Sequence, residues 1–282
     1  MGIYQDIQTQ FQKPNNVLVK LILINVMVWV VDWLLKVPSI IFDLSLFSQV
    51  FEQQMLPGTW GELLWKPWTM ITYMFTHNTN SIIPFHLLFN MLGLYWFGFI
   101  VQDLINNQRV LSLYILGGLF AAVCYIVFAS YISPSVGLIG ASGSVYAIIV
   151  AAATLSPTYE VQLLFFGRVK IIYIAATYIF LSFIGTVGSN AGGEVAHLGG
   201  ALFGYLYIKL LKTGVDLGAW LQFSKVFSTS SFKITKNNAH TLASKEGINT
   251  AEVDRILDKI SKSGYESLTQ KEKQTLFEAS KK

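Results

Sequence analysis

Residues 137–150 read GLIGASGSVYAIIV. The second half is a run of apolar and small residues that suits the start of a membrane helix. The first half, with Gly137 and Gly140, reads as a tight turn. Ser142 stands at the junction, with Gly140 two residues before it and Gly143 directly after. Pro157 limits the helix beginning at Ser142 to about fifteen residues, or roughly 22 Å at about 1.5 Å per residue. The hydrocarbon layer is roughly 30 Å thick. If the inner end of this helix reaches the inner boundary, Ser142 lies below the outer surface, and the turn GLIGA must dip into the membrane to deliver it there. Irregular backbone at that depth is tolerated only where protein or a water-filled cavity surrounds it. The glycines permit the turn and the close approach of neighbours.

Composition agrees with a chain that lives in lipid. Of 282 residues, 53% are hydrophobic and 13% charged, with a mean hydropathy of +0.50. Soluble domains carry about 25% charged residues. Hydropathy predicts six spans, at about 17–37, 82–104, 110–132, 142–157, 169–187 and 195–211. The fold class expected is therefore all-α, a polytopic membrane bundle of six helices with a small helical tail. The first span follows a mixed polar stretch (QDIQTQFQKPNN) without a small-residue cleavage site after it, and reads as a retained helix. The connection 38–81 contains LWKPWTMITYMF, rich in Trp and Tyr, which suits short helices lying in the membrane interface. The single cysteine, Cys124, lies mid-way along an apolar run. It allows no disulfide within the chain, and reads as a small buried hydrophobe.

Lys and Arg placement sets the orientation. With the N-terminus inside, Lys13, Lys20, Arg109, Arg168, Lys170, Lys209 and Lys212 fall on the inner side, and Lys36 and Lys66 on the outer. Both termini are then cytoplasmic, and the second, fourth and sixth spans all start at the outer face. Four parts are expected: a cytoplasmic segment at 1–16, a membrane domain at 17–212, a linker at 213–241 and a helical hairpin at 242–282. Residues 213–282 hold eleven Lys/Arg against eight Asp/Glu, which is not a nucleic-acid signature. In the tail, Asn249 with Glu252 and Thr269 with Glu272 have capping-box spacing. Val253, Ile256, Leu257 and Ile260 fall on one helical face, and Ser263-Gly264 would break the pair of helices.

Polar residues are the informative ones in lipid. At the three outer helix starts stand Ser142, then His197 in AHLGGALFG, then His86 and Asn90 in FHLLFN. Separately each has a plain reading: an N-cap, a bridge between helices, or two residues on one helix face acting as glue. Together they place a nucleophile, a base and hydrogen-bond donors at one depth on one side. A serine hydroxyl attacks only when a base takes its proton, and His197 is the base at hand. Gly200 and Gly204 after it, with Gly143, Ala147 and Ala151 on the fourth span, form small surfaces that allow close helix contact. Asn90 and His86, with the Ser142 backbone N–H, would serve as oxyanion donors. Tyr146, one turn beyond Ser142, could stack on His197. Glu194, three residues before His197, could orient the imidazole, but capping the sixth span is its plainer role, so a Ser–His dyad is the expectation. His77 is expected to fix the interfacial loop. Asp32, in the first span, has no role in this reading.

These residues closely resemble the rhomboid intramembrane serine proteases. The shared motifs are GASG (Gly140–Gly143) with Tyr146 following, AHLGGALFG (Ala196–Gly204) and HLLFN (His86–Asn90), in order across residues 17–211. The resemblance implies a six-helix bundle that cleaves other membrane proteins in or near their transmembrane segments, with small residues at the cleavage position. It implies Ser142 as nucleophile and His197 as base without a third member, His86 and Asn90 at the oxyanion site, no metal, no nucleotide cofactor and no nucleic-acid partner. It also implies a bacterial inner (cell) membrane location. Two positions depart from the family pattern. Trp68 is followed by Thr69 where Arg is common, and His77 precedes His86 by nine residues rather than about five. The other readings are a non-enzymatic relative that binds membrane proteins for quality control, and a transporter. The chain has both Ser142 and His197, which disfavours the first; no internal repeat is visible, which disfavours the second.

Overall fold

The computed structural model describes residues 16–80, 84–132, 137–163, 167–221 and 250–280. Lys13, positions 222–249 of the expected linker and tail, including Asn249, and the side chain of its capping partner Glu252 lie outside what is described. The chain divides into two units, residues 1–224 and 225–282.

The first unit is a bundle of six helices, and the protein is a polytopic membrane protein of mainly α architecture. The helices are α1 (Val17–Ile41), α5 (Phe85–Leu104), α6 (Asn107–Tyr131), α7 (Ser142–Leu155), α8 (Ile171–Gly185) and α9 (Ala191–Lys212). Between α1 and α5 come three short helices, α2 (Leu46–Gln54), α3 (Trp60–Trp65) and α4 (Thr69–Thr72). Helices α1, α5 and α6 are each long and apolar enough to cross a bilayer on their own, whereas α7 and α8 are shorter apolar helices. The short α7 is the most deeply enclosed element: ten of its fourteen residues are buried, and α5, α6, α8 and α9 all pack on it. Its sequence explains this position. Ala147, Ala151, Ala152 and Ala153 keep it thin, and four helices can close around a thin rod. By contrast α1 and α8 turn large side chains such as Leu34, Ile40, Phe180 and Leu181 outward, where lipid takes the place of a protein core.

The backbone groups of the turn before α7 are satisfied by the segment between α1 and α5. Leu138 and Leu56 exchange two backbone hydrogen bonds, at 3.0 and 2.9 Å, and the Gly140 N–H donates to Tyr73 O at 2.9 Å. Gly137 and Gly140 have φ of +133° and +120°, a region that side-chain-bearing residues rarely enter. The interfacial segment is tied in turn to α1. Asp32 Oδ1 accepts from Gln54 Nε2 at 2.9 Å, and Gln54 Oε1 accepts from Thr76 Oγ at 2.9 Å. This supplies the account of Asp32 that the sequence lacked: it anchors the loop to the first span.

Three features differ from the sequence reading. The connection from α7 to α8 holds a two-stranded antiparallel ribbon, β1 (Glu160–Leu163) with β2 (Gly167–Lys170), pairing Glu160 with Lys170 and Gln162 with Arg168. Strand alternation over so few residues is invisible to a window tuned for spans. The segment read as linker from 213 starts as part of the bundle: Asp216 meets Arg109 at 3.3 Å and accepts from the Gly218 N–H at 3.0 Å. Cys124 is half-buried rather than buried, although one side of it packs closely against Gly199.

The second unit contains α10 (Thr250–Ser263) and α11 (Gln270–Ser280), with Gly264 at φ +76° after the first. Thr269 and Glu272 form the expected reciprocal cap, the Thr269 N–H donating to Glu272 Oε2 at 2.8 Å and the Glu272 N–H to Thr269 Oγ at 3.3 Å. These bonds, with Lys259 beside the carboxylate, pull Glu272 down to about 2. Of the four residues assigned to one apolar face of α10, Ile256 is buried, Val253 and Ile260 are half-buried and Leu257 is exposed. A pair of helices this short covers only a narrow stripe.

Candidate active site

The site is assembled from the N-terminal ends of α5, α7 and α9. Two of these helices approach one another through glycine. A methyl group added at Gly200 would collide with the Gly143 carbonyl oxygen, and one at Gly204 with that of Ala147. Backbone therefore lies on backbone along this seam, and only glycine on α9 allows it. Gly143 itself faces Ala121 of α6, 2.6 Å from where its own Cβ would be. The consequence is that the first residue of α7 and a residue in the second turn of α9 are brought side by side. His197 Nε2 lies 2.7 Å from Ser142 Oγ.

The imidazole is held on three sides. Tyr146 stacks on it with ring centroids 4.4 Å apart and planes 11° from parallel. Its far nitrogen, Nδ1, lies 3.1 Å from Glu194 Oε2 and 3.2 Å from Ser182 Oγ. Ser182 also donates to the Tyr146 hydroxyl at 2.9 Å. The sequence reading ranked Glu194 as a helix cap and did not include Ser182 at all. The signal for Ser182 was present, since it is a hydroxyl within an apolar span. Thr177 and Thr186 carry the same signal, however, and only the rotation of α8 distinguishes them.

His86 and Asn90 stand across from this pair. They line one cavity of about 540 Å³ together with Ser142, Tyr146 and His197. Asn90 is buried and donates one amide hydrogen to His86 O at 2.7 Å, which leaves its second amide hydrogen for another acceptor. His86 Nδ1 accepts from the Asn78 N–H at 3.4 Å, so the proton of the neutral ring belongs on Nε2. That edge of the ring points at Gly140: a Cβ there would lie 2.8 Å from His86 Cε1 and Nε2. His77 is fully buried behind His86, with ring centroids 5.1 Å apart, and its Nδ1 bonds Phe75 O at 3.1 Å. Burial, with the His86 ring nearby, pushes His77 down to about 3, so it is neutral and acts as packing for the loop. Despite the longer spacing between His77 and His86, the two rings still meet. Thr69, in the position where the family often has Arg, is buried and donates to Lys66 O at 2.6 Å.

Among the described residues no group of three or more His, Cys, Asp or Glu side chains is arranged to hold a metal ion.

The fold and site define a multi-pass membrane protein with a serine and a histidine in contact toward one end of a helical bundle. The chain belongs to the rhomboid family, whose domain model matches residues 64–213. Residues 242–282 match a second model, a family of unknown function designated DUF6576. The membrane part is similar to the presenilin-associated rhomboid-like protein A, mitochondrial, of Danio rerio, at 30% identity over 142 residues, 49% of this chain and 36% of that protein. It is similar also to RHOMBOID-like protein 12, mitochondrial, of Arabidopsis thaliana, at 33% identity over 150 residues, 47% of this chain and 43% of that protein. The chain thus matches less than half the length of either relative.

Proposed function

We propose that this protein is an intramembrane serine endopeptidase that hydrolyses peptide bonds in or beside the transmembrane segments of other membrane proteins. The observation that carries this reading is the 2.7 Å contact between His197 Nε2 and Ser142 Oγ, made beside a cavity large enough for a stretch of peptide. Ser142 Oγ attacks the scissile carbonyl carbon while His197 Nε2 takes its proton. The carbonyl oxygen becomes an oxyanion, and the donors available to it are the His86 Nε2–H, the second Asn90 amide hydrogen and the Ser142 backbone N–H. That N–H belongs to the first turn of α7, where no helical carbonyl stands behind it. As the tetrahedral intermediate collapses, the C–N bond breaks and the His197 imidazolium passes its proton to the departing amine. Water, activated by the same imidazole, then cleaves the acyl ester and restores Ser142.

Labelling with a fluorophosphonate tests the reading directly. The wild-type protein is expected to be modified at Ser142, and Ser142→Ala is expected to take no label. A wild-type protein that stays unlabelled and sheds no fragment from co-expressed membrane proteins would instead favour a relative that binds such proteins without cutting them. Asn90→Ala is expected to lower kcat about 10²-fold, the usual loss for one oxyanion donor, and an unchanged kcat would remove Asn90 from the site.

The seven-to-two distribution of basic residues supports an orientation with both termini on the inner side, and a bacterial cell membrane is the location we propose. The two named relatives are mitochondrial proteins. In a Cys124→Ala background, Val187→Cys is expected to react with an impermeant maleimide in intact cells. Val215→Cys should react only after permeabilisation. Both positions are exposed, so the reverse pattern would invert the topology.

A further inference from the structure

We infer that Glu194 is a positioning residue for His197, holding the base of the Ser142–His197 pair in its working tautomer. The inference rests on the hydrolytic reading above. When the Ser142 hydroxyl donates to Nε2, the remaining proton of the neutral imidazole must sit on Nδ1. Two acceptors face that nitrogen, Glu194 Oε2 at 3.1 Å and Ser182 Oγ at 3.2 Å. The carboxylate only accepts, so it holds the ring in the tautomer that leaves Nε2 free to take a proton. The single Ser182 hydroxyl proton has Tyr146 and Glu194 as acceptors, and its lone pairs are a weaker acceptor for the Nδ1 proton than a carboxylate. Once the proton has moved from Ser142 to His197, the ring is cationic, and a carboxylate in contact stabilises it where a hydroxyl does so only weakly. The pair is partly shielded, with side chains 16% and 21% exposed, so solvent does not cancel that attraction.

A second observation is independent of the hydrogen bond. Gly185 ends α8 beside this carboxylate, and a Cβ there would lie 2.8 Å from Glu194 Cγ and 2.9 Å from Cδ. The neighbouring helix is thus cut away where the Glu194 side chain passes. If Glu194 only capped α9, its carboxylate would have no need to face the imidazole or to be given this space.

The test uses the full chain in proteoliposomes with a reporter membrane substrate. Glu194→Gln is expected to lower kcat about 10- to 100-fold, as for loss of one charge-assisted hydrogen bond with Ser182 still in place. KM should stay within about twofold, since Glu194 acts through His197 and not on bound substrate. Glu194→Asp should recover part of the lost kcat, and Ser182→Ala should cost less than Glu194→Gln. Gly185→Ala provides a second route that leaves the carboxylate in the protein. It should lower kcat several-fold by crowding Glu194, and should add no loss in a Glu194→Ala background. Glu194→Gln with wild-type kcat, beside an inactive Ser142→Ala, would overturn this positioning role and leave the Ser142–His197 pair intact. The same holds if Glu194→Gln lowers only thermal stability. Cleavage that persists in Ser142→Ala is a different failure: it removes the hydrolytic reading and the role of Glu194 with it.

Discussion

Ser142→Ala and His197→Ala are each expected to bring cleavage of a reporter membrane protein down to the uncatalysed background while the protein remains folded. The expected loss is large because the two side chains work as one unit. Without the imidazole the hydroxyl keeps its proton and is a poor nucleophile, and without the hydroxyl the imidazole has nothing to activate but water. In a soluble serine protease, removing either member costs roughly 10⁶-fold. The expected structural cost is small. Ser142 Oγ contributes one hydrogen bond, to His197, with a net worth of about 0.5–1.5 kcal/mol. His197 keeps Tyr146, Glu194 and Ser182 around it in the Ser142→Ala protein. Cleavage kinetics alongside a thermal melt separate the two effects. Wild-type turnover by Ser142→Ala would end the assignment of this serine as nucleophile.

The second large effect is expected from Gly200→Ala, a change of one methyl group that touches no reacting atom. The added carbon would meet the Gly143 carbonyl, a backbone atom that cannot rotate away as a side chain would. Overpacking of this kind costs about 1–3 kcal/mol when neighbours can adjust, and rigid backbone on both sides puts Gly200 at the upper end. The helices relieve the clash by moving apart at the turn that carries Ser142. Opening the 2.7 Å contact by roughly 1 Å would cost about 10²-fold in rate. Gly200→Ala should therefore lower both the melting temperature and kcat, and Gly204→Ala should do the same through Ala147. Gly61→Ala is the control, because a Cβ there meets nothing within 4 Å. Gly200→Ala with normal stability and normal turnover would show that α7 and α9 do not need this contact.

The membrane bundle was legible because its cause is local. A span is declared by its own hydropathy, so the six runs could be found one at a time. The early start of α7 followed from counting residues between Ser142 and Pro157. The tight turn followed from glycine spacing, and short helices were expected in the Trp- and Tyr-rich connection, where they are found. Ser142, His197, His86 and Asn90 stood out because a polar group in an apolar run needs a reason wherever it occurs.

What lies around His197 was not legible in the same way. Ser182, Thr177 and Thr186 look alike in sequence. Glu194 has the spacing of a capping residue as well as that of a neighbour to His197. The β1–β2 ribbon and the Gln54 partner of Asp32 were likewise missed. The choice among these depends on how each helix is rotated about its axis and how deeply it sits, which no single segment encodes. The bundle sets both when glycine meets backbone across α7 and α9, and when Gly185 clears a path for Glu194. Local composition decided which segments enter the membrane and where polar groups interrupt them. Tertiary packing alone decided which of those polar groups touch, because hydrogen bonds form over about 3 Å and hydropathy cannot resolve that distance.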